Sequence, residues 1–400
     1  MATSDADHPL SSTARAYLRL QLAGDVGPVR VRNLVNHFGS IQAVLSTSVA
    51  QLQRVDQVGP KVAEAVFRAR DDGAVDQEIA RAAACGLRII CCEDAEYPRA
   101  LLHTPDPPIC LYVRGTLEPT DGVAVGVVGT RRCSHYGREQ ATRFGELLAG
   151  AGFTVVSGLA RGIDSCAHRG ALRAGGRTIA VLGNGLCSVY PPEHTELADE
   201  ITRSGALLTE VPVDAAPDAG NFPRRNRVIV GLSLGVVVIE AGKRSGALIT
   251  ARLASEYNRE VFALPGRVDQ PGTTEGVNGL IRDGRAKLIT CLDDVLDELA
   301  DVGRMMRPTP AGNTRPSTPP DTAQPDEPSV DDSLAPHDRA VLRAVMDGVD
   351  RPAHIAEITE LETARVMASL TALQLRGRIR RLPGDRFAPR STDARKGAAD

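Results

Sequence analysis

The chain has 400 residues, which is more than one hydrophobic core usually organises, and 42% of them are apolar, so two or three domains are expected. Its 47 Lys and Arg against 50 Asp and Glu give a net charge of −3, which excludes attraction of a polyanion by the whole chain and requires local clusters of cations. The eight cysteines contain no CxxC pair, so the sequence predicts reduced thiols, without a disulfide or a zinc site. No long apolar run or signal pattern occurs, which predicts a cytoplasmic protein with no membrane insertion.

Two short segments near the N-terminus repeat each other. DVGPVRVRNLV at 25–35 is echoed by QVGPKVAEAV at 57–66, and each places Val-Gly-Pro before an apolar-periodic helix. Gly suits a tight hairpin and Pro pre-sets the first helical turn, so the repeat predicts an all-α helix-hairpin-helix or SAM-like domain over 1–75. Free amides at such hairpins suit a DNA phosphate, but a protein-docking module fits equally well because the helices carry few cations.

The central part of the chain alternates short apolar runs with amphipathic helices. Runs that are apolar on both faces and separated by helices are typical of a parallel sheet covered on two sides, with right-handed crossovers. This pattern predicts an α/β, Rossmann-like, doubly wound domain over 76–302, in which RIICC and ICLYVRG add strands before the first core strand. The six core runs are VAVGVVG (123–129), FTVVSG (153–158), TIAVLG (178–183), ALLTE (206–210), GVVVIEA (235–241) and EVFALPG (260–266).

The C-terminal part begins with a Pro-rich segment. Residues 303–335 lack a repeating apolar face and are predicted to be a linker. Residues 336–390 give three predicted helices and a two-stranded turn, the order of a winged helix, and 391–400 are predicted to be a disordered tail. The supposed recognition helix has only Arg365 and Arg376 as cations, so a protein contact or weak DNA binding is at least as favoured as sequence-specific reading.

Polar or Gly-rich loops follow all six core runs. In an open parallel sheet the ligand crevice lies beyond the carboxyl ends of the strands, so these loops are expected to share one edge. Glycines let main-chain N–H groups approach an anion, and the following helix starts add positive dipole ends. One such loop is commonly plain turn geometry, whereas six together favour a phosphate-bearing ligand. The glycines are Gly129, Gly158, Gly162, Gly183, Gly185, Gly242 and Gly246, and the cations are Arg131, Arg132, Arg161, Arg224, Arg225, Arg227, Lys243 and Arg244.

The usual cofactor and catalytic motifs are missing from these loops. GVVGTRRCS does not have dinucleotide-binding spacing and EAGKRSG is not a phosphate-binding Walker loop, so no NAD, ATP or other cofactor is predicted. His135, His168 and His194 lie near loops without an arranged nucleophile or metal-ligand spacing, so no catalytic or metal residue is predicted.

Two acidic residues also follow strands. Asp164 and Glu240 would suit general acids or bases, yet an Asp that opens a helix commonly caps it. Glu240 is expected to position Lys243 or Arg244.

The segment NFPRRNRVIVGLS at 221–233 places cations and an aromatic ring at a helix start. The chain has only 3% aromatic residues, so Phe222 beside several arginines is interpreted as a stacking platform for a base, with packing under its own loop as the alternative. Arg225 and Arg227 would then hold phosphates. Asn226 would bond a base edge or cap a loop.

The ordered motifs of the central domain resemble the DNA-processing protein A family, also called DprA or Smf. The resemblance covers about half the chain and implies binding of single-stranded DNA, its protection from nucleases, and loading of a RecA-type recombinase during natural transformation, by a homodimer without established catalysis. A lysine that relatives can present before Phe222 is absent from 218–221. The motifs concerned are GTRRCSHYG, SGLARGIDSCAH, LGNGLCSVYPPEH, FPRRNRVIVGLS, EAGKRSGALITA and LPGRVDQPGTTEGVNGLI; carried over by motif are Gly129, Thr130, Arg131, Ser134, Phe222, Arg225, Asn226, Arg227, Lys243 and Ser245.

Two rival interpretations remain open at this point. Rossmann-like nucleotide phosphoribohydrolases use a PGGxGTxxE motif, and PGRVDQPGTTEG keeps Gly272, Thr273 and Glu275 of it but inserts residues between PG and GT. A recombinase-docking scaffold is the other alternative, although it would not need the loop arginines.

Overall fold

The structure is a computed structural model. It describes residues 10–71, 73–299, 302, 336–347, 349–359, 361, 365–367, 369–370, 373, 378–382 and 386–389. The chain forms two compact units, Met1–Gly312 and Asn313–Asp400. The predicted linker and tail lie outside the described residues, and the predicted domain boundaries stay predictions. Among the described helices, none combines the length and the apolar character that a membrane span requires.

The N-terminal part is entirely helical, as the repeat predicts. Gly27 and Gly59 are the N-cap residues of α2 and α5, and Pro28 and Pro60 occupy the first helical positions, so both Val-Gly-Pro segments start a helix. The apolar faces of these helices pack into one core with residues of the sheet that follows. The helices are α1 Ser12–Leu22, α2 Pro28–Phe38, α3 Ile41–Ser46, α4 Val49–Leu52, α5 Pro60–Arg68 and α6 Gly73–Ala84.

A sheet of nine described strands forms the centre of the first unit. Its order is β1-β2-β6-β5-β4-β3-β7-β8-β9. All pairs from β6 to β9 are parallel, whereas β1 pairs with β2 and β2 with β6 antiparallel. The six core strands and the two additional strands are therefore confirmed. The strands are β1 Arg88–Cys91, β2 Cys110–Gly115, β3 Ala124–Val128, β4 Thr154–Ser157, β5 Thr178–Val181, β6 Ala206–Thr209, β7 Gly235–Val238, β8 Glu260–Ala263 and β9 Lys287–Leu288.

Helices cover both faces of this sheet, which explains why the strands are apolar without alternation. Val125 and Val127 of β3 pack into the core that contains Phe144, whereas the neighbouring Val128 packs with Val228 on the opposite face. Successive side chains of a strand point to opposite faces, so both must be apolar when both are covered. The helices are α7 Arg99–Leu102, α8 His135–Gly150, α9 Ile163–Arg173, α10 Thr195–Ser204, α11 Asn221–Leu232, α12 Gly246–Glu256, α13 Pro271–Arg282 and α14 Leu292–Glu298.

The direction of winding reverses at β3. The chain runs outward from β3 through β4 and β5 to β6, then returns to β7 on the other side of β3. Loops that leave β3 and β7 therefore diverge and open a crevice at the carboxyl ends of these strands. This crevice is the place that the sequence predicts for the ligand.

A disulfide corrects the prediction of eight reduced thiols. Cys85 is bonded to Cys187, with 5.5 Å between their Cα atoms and a sequence separation of 102. Cys85 directly follows α6 and Cys187 lies in the loop after β5. Only the docking of the helical part on the sheet brings them together, so no local spacing could reveal the pair. The six other cysteines are free.

The second unit has the predicted order of a winged helix. Helices α15 Pro336–Met346 and α16 Pro352–Thr359 are followed by an antiparallel hairpin of β10 Ile379–Leu382 and β11 Arg386–Pro389. Val341, Ile355 and Phe387 share its small core. The third predicted helix is described only in part.

Candidate nucleic-acid interface

An open cleft of about 1030 Å³ lies at the reversal point of the sheet. The loops after β3 and β7 line it, together with the first turns of α11 and α12 and the start of α13. Its walls combine main-chain groups, cations and two aromatic rings, those of Tyr190 and Phe222. Of the residues predicted for the site, it is lined by Gly129, Thr130, Arg131, Phe222, Arg225, Asn226, Ser245 and Gly246.

The aromatic platform of the cleft has two neighbours. The Arg131 guanidinium lies 5.1 Å from the centroid of the Phe222 ring. The Tyr190 ring lies on another side, with centroids 5.8 Å apart and planes tilted by 41°. Phe222 is half-buried and the Arg131 side chain is exposed. The site therefore presents a cation next to an incompletely covered aromatic surface, which is an arrangement suited to a base and its phosphate.

The loop between β3 and α8 is held by Glu240. The Ser134 amide donates to Glu240 Oε2 at 2.9 Å and the Ser134 hydroxyl donates to Oε1 at 2.5 Å. Ser134 Oγ also accepts the Gly137 N–H, which caps α8. A Cβ at Gly137 would overlap the Glu240 carboxylate. Glu240 thus fixes the loop that carries Arg131, and its carboxylate bonds Ser134 where the sequence suggests Lys243 or Arg244.

Arg225 lies beneath the cleft surface and not on it. Arg225 is only 5% exposed, and its Nη1 donates to the Val181 carbonyl. Its guanidinium fills the space that a side chain at position 158 would need, which explains Gly158. Burial lowers the pKa of Arg225 to about 10, against the attraction of Asp164. Asp164 also lines the cleft, and burial raises the pKa of its carboxyl, an effect opposed first by Arg225.

Asp164 organises the loop before α9. Its carboxylate accepts the N–H groups of Gly158 at 3.2 Å and Ala160 at 3.4 Å, both upstream of the helix. The N-cap of α9 is Gly162, which has no side-chain cap. Gly162 has φ of 82°, and a Cβ there would overlap the Thr130 carbonyl. Asp164 therefore bonds backward into the loop, contrary to the expected helix cap, and Gly162 permits close contact between two cleft loops.

Two predicted arginines lie in ion pairs outside the cleft lining. Arg161 is exposed and donates to Glu193, with 3.0 Å from Nη2 to Oε2. The Arg227 side chain is only 10% exposed and pairs with Glu210, while its Nε lies 3.5 Å from Asp106 Oδ2. Either residue would have to give up these partners to bind phosphate. Their predicted contact with DNA stays a prediction.

Three other predicted residues are absent from the cleft lining. Lys243 is exposed, with Nζ 3.3 Å from Glu275 Oε1. Gly185 is buried, its amide donates to Ala215, and a Cβ at this position would overlap the Val213 carbonyl. Gly183 packs under the Phe222 ring, where an added Cβ would meet Phe222 at 3.0 Å.

Comparison with known proteins places this chain in a family. The family model described as DNA recombination-mediator protein A matches residues 88–300, which is more than half of the chain. The chain belongs to the DNA recombination-mediator protein A family. Further models match a helix-hairpin-helix motif at 24–76 and a DprA winged helix domain at 318–385.

Individual relatives match over most of their length. Protein Smf of Synechocystis is 35% identical over 383 residues, covering 91% of this chain and 96% of the relative. Protein Smf of Escherichia coli is 43% identical over 278 residues, covering 68% and 73%. The crystal structure of DNA processing protein A from Streptococcus pneumoniae superposes with a TM-score of 0.64 at 33% identity, over 72% of this chain and 98% of that one.

Several cleft residues of this family member were not predicted from its sequence. Tyr190 comes from the loop after β5, and Ile249 and Thr250 project from the first turn of α12. Two sequence signals could have identified them. Tyr190 is an aromatic residue directly before Pro-Pro, and Ile249 and Thr250 lie four residues after the predicted Ser245 and Gly246. Among the described residues, no group of three or more His, Cys, Asp or Glu is placed to hold a metal ion.

Proposed function

We propose that the cleft binds single-stranded DNA with little preference for sequence and that the chain performs no catalysis there. The observation that carries this proposal is the Arg131 guanidinium beside the half-buried Phe222 ring, in a cleft whose other walls expose the main chain of glycine-rich loops. Every base has a face that can stack on an aromatic ring, and cations with free amides suit the backbone phosphates.

Stacking on Phe222 favours unpaired strands. The base faces of a duplex are hidden in its own stack, so a ring on the protein reaches them only after unstacking, which costs a few kcal/mol per step. A duplex therefore offers this cleft only its phosphates, which Arg131 and Arg132 would contact from outside.

Fluorescence anisotropy with the full chain tests this proposal. Labelled oligothymidine, a mixed-sequence single strand and the corresponding duplex are titrated at several salt concentrations. Similar affinity for the two single strands and much weaker binding of the duplex are expected. Equal affinity for single strand and duplex would overturn the preference, and no binding at all would overturn the proposal.

We infer further that the bound strand is delivered to a RecA-type recombinase, in the cytoplasm and during uptake of DNA by natural transformation. Membership of a family described as a recombination mediator supports this inference. The test is recombinase ATP hydrolysis on DNA coated with single-strand-binding protein. The wild-type chain is expected to shorten the lag phase, whereas a variant that does not bind the strand leaves the lag unchanged. An unchanged lag with the wild type would contradict delivery.

A homodimer is also proposed, and an apolar edge of the sheet supports it. Leu288 of β9 is 51% exposed and Val268, in the loop after β8, is 89% exposed. Both line a surface groove of about 460 Å³. Solvent-exposed apolar side chains at an open sheet edge suit a second copy of the same surface.

The phosphoribohydrolase alternative keeps one structural argument. Gly272 and Thr273 of its altered motif line the cleft, but Glu275 is absent from the lining and pairs with Lys243. Incubation with nucleoside monophosphates distinguishes the two, because release of free base would overturn the absence of catalysis.

A further inference from the structure

A second groove opens beside the first of the two repeated hairpins. It measures about 450 Å³ and is lined on one side by Gly24, Asp25 and Gly27, and on the other by Asn221, Arg224 and Arg225 of α11. We call it the hairpin groove. The groove lies between the first hairpin, which has no part in the proposed function, and α11, which forms one wall of the cleft.

Helix α11 separates the hairpin groove from the cleft. Asn221, Arg224 and Arg225 lie at i, i+3 and i+4 and face the groove, whereas Phe222 and Asn226, also four apart, face the cleft. Arg225 lines both cavities. The first turn of α11 is therefore a ridge with an opening on each side and a shared guanidinium at its base.

The shared guanidinium has an unused donor. Arg225 is 5% exposed, and its Nε has no hydrogen-bond partner among the described residues. A buried polar group without a partner is costly, and an unsatisfied donor on a cation is best matched by an anionic oxygen. The Nε atom itself is covered, so an anion at this ridge would be attracted by the charge of the guanidinium and would not bond to Nε directly.

The opposite wall of the groove is the start of a helix without a cap. Helix α2 begins at Pro28 after Gly27, which forms no side-chain cap bond. The first N–H bonded back within the helix is that of Val31, to the Gly27 carbonyl, so the first-turn amides of Val29 and Arg30 have no partner inside it. An uncapped first turn of this kind favours an anion through both its amides and its dipole.

The charges around the groove leave an excess of cations. Asp25 is engaged by Lys61, with 3.0 Å between the charged atoms, and Glu210 by Arg227. Neither Lys61 nor Arg227 lines the groove. The charge of Arg225 is offset by Asp164, so the cations left over in the groove are Arg224 and Arg30, whose guanidinium donates to the carbonyls of Asp25 and Gln57.

We propose that the hairpin groove binds a backbone phosphate of the same single strand that occupies the cleft. The strand crosses the first turn of α11 and places one phosphate between the start of α2 and Arg224. This inference rests on the proposed function of the cleft. It assigns the first hairpin to DNA and leaves the second hairpin, at Gly59, outside the path.

The two hairpin glycines provide a matched pair of variants. Gly27 and Gly59 are both N-cap residues with φ of −76° and −79°, and a Cβ meets nothing within 4 Å at either position. Asp is a favoured N-cap residue, so Gly27→Asp and Gly59→Asp should both fold and add the same charge. Only Gly27→Asp places that charge in the groove. Arg224→Gln tests the facing wall, because Arg224 is exposed and forms no ion pair with the residues described.

The experiment measures affinity against oligothymidine length by anisotropy for the full chain. Gly27→Asp and Arg224→Gln are expected to bind the shortest oligonucleotide like the wild type, and to bind long ones about tenfold more weakly, as for one lost charge-assisted contact. Their logarithmic salt slope on long strands should fall by about 0.7. Gly59→Asp should match the wild type.

Three outcomes would overturn the inference. One is equal weakening by Gly27→Asp and Gly59→Asp, which would indicate general charge repulsion. Another is unchanged binding of long strands by both Gly27→Asp and Arg224→Gln, while Phe222→Leu still weakens binding; the cleft would then be retained and the hairpin groove rejected. The last is failure of the wild type to bind any oligonucleotide, which rejects the proposed function and this path together.

Discussion

Arg131 and Arg225 line the same cleft in different surroundings. Arg131 is exposed beside the Phe222 ring, whereas Arg225 is buried against a backbone carbonyl and the charge of Asp164. An exposed arginine can exchange water for phosphate at little cost to the fold. A buried one is part of the fold before any ligand arrives.

Replacing each arginine by glutamine should separate these roles. Arg131→Gln should lower the logarithmic salt slope of oligothymidine binding by about 0.7 and leave the free energy of unfolding unchanged. Arg225→Gln should lower the free energy of unfolding by about 3–5 kcal/mol, because it leaves the Asp164 charge buried without its partner. Urea unfolding and salt titrations of both variants provide the measurement. Equal stability of the two variants would show that Arg225 is not structural.

Phe222 can contribute either an aromatic face or mere apolar volume. Phe222→Leu keeps an apolar side chain over Gly183 and removes the face, so binding should weaken by about 1–3 kcal/mol per stacked base with little change in salt slope. Phe222→Tyr is the control that retains the ring. Isothermal titration with oligothymidine measures both, and a Leu variant that binds like the wild type would leave Phe222 as packing only.

His168 makes the fold sensitive to acid. It is fully buried with Nδ1 2.7 Å from the Thr178 hydroxyl, and burial lowers the pKa of His168 from 6.5 to about 3. Between these pKa values the unfolded chain binds a proton at this histidine that the folded chain excludes. His168 therefore costs no stability above pH 6.5 and destabilises the fold increasingly as the pH drops below that value. The slope is at most about 1.4 kcal/mol per pH unit.

The variant His168→Asn isolates this effect. Its amide can still bond Thr178 but does not titrate, so its stability should fall less steeply than that of the wild type below pH 6.5. Urea unfolding of both proteins across that range measures the difference. Parallel pH curves would show that His168 contributes no linkage.

At the scale of elements, the cleft depends on contacts between loops of different strands. Glu240 after β7 holds Ser134 after β3, and Gly162 after β4 lies against the Thr130 carbonyl. Strand β2 also matters, because it lies between β1 and β6 and pairs with both. A fragment that begins at residue 122 would lose β2 and expose an unpaired strand edge.

The Cys85–Cys187 disulfide joins two elements that are distant in sequence. It links the end of α6 to the loop that carries Tyr190, so its reduction should lower the free energy of unfolding by about 2–4 kcal/mol. Urea unfolding with and without reductant measures this change. Cys85→Ser should reproduce the reduced state, and Cys291→Ser, at a free cysteine, is the control. Thiol titration of the denatured, non-reduced chain should count six cysteines; a count of eight would contradict the disulfide.

At the scale of the molecule, the candidate ligand-binding residues lie at one end of the sheet, and exposed apolar residues lie at one of its edges. The cleft and the hairpin groove share α11, whereas Leu288 and Val268 belong to the β8–β9 side. The proposed strand binding and the proposed self-association would therefore use different surfaces of the first unit.

Leu288→Glu should separate these two properties. A charge at the exposed edge of β9 opposes pairing with a second copy, so the variant is expected to be a monomer by light scattering while it still binds a short oligothymidine. Ile358→Glu, the same kind of change at an exposed apolar residue outside this groove, is the control. Unchanged mass of the Leu288→Glu protein would contradict a dimer through this edge.

The local patterns of the chain determined its elements and predicted the edge of the sheet where the candidate site lies. These patterns depend only on neighbours in sequence. Apolar runs buried on both faces indicated the doubly wound sheet, and Val-Gly-Pro before a helix indicated the helical repeat. Gly-rich loops after strands indicated the carboxyl end of the sheet as the place of the cleft.

Tertiary structure alone decided which charges are exposed at the cleft and which are buried. Arg131 and Arg225 both occur in arginine-rich segments that follow core strands, but only packing against Val181 and Asp164 buries the second. The partners of Glu240 and Arg227, the bond between Cys85 and Cys187, and the approach of the first hairpin to α11 depend in the same way on residues far apart in sequence. The burial of a side chain and the choice of its partner depend on contacts between residues that are distant in sequence, so they cannot be predicted from a local sequence pattern.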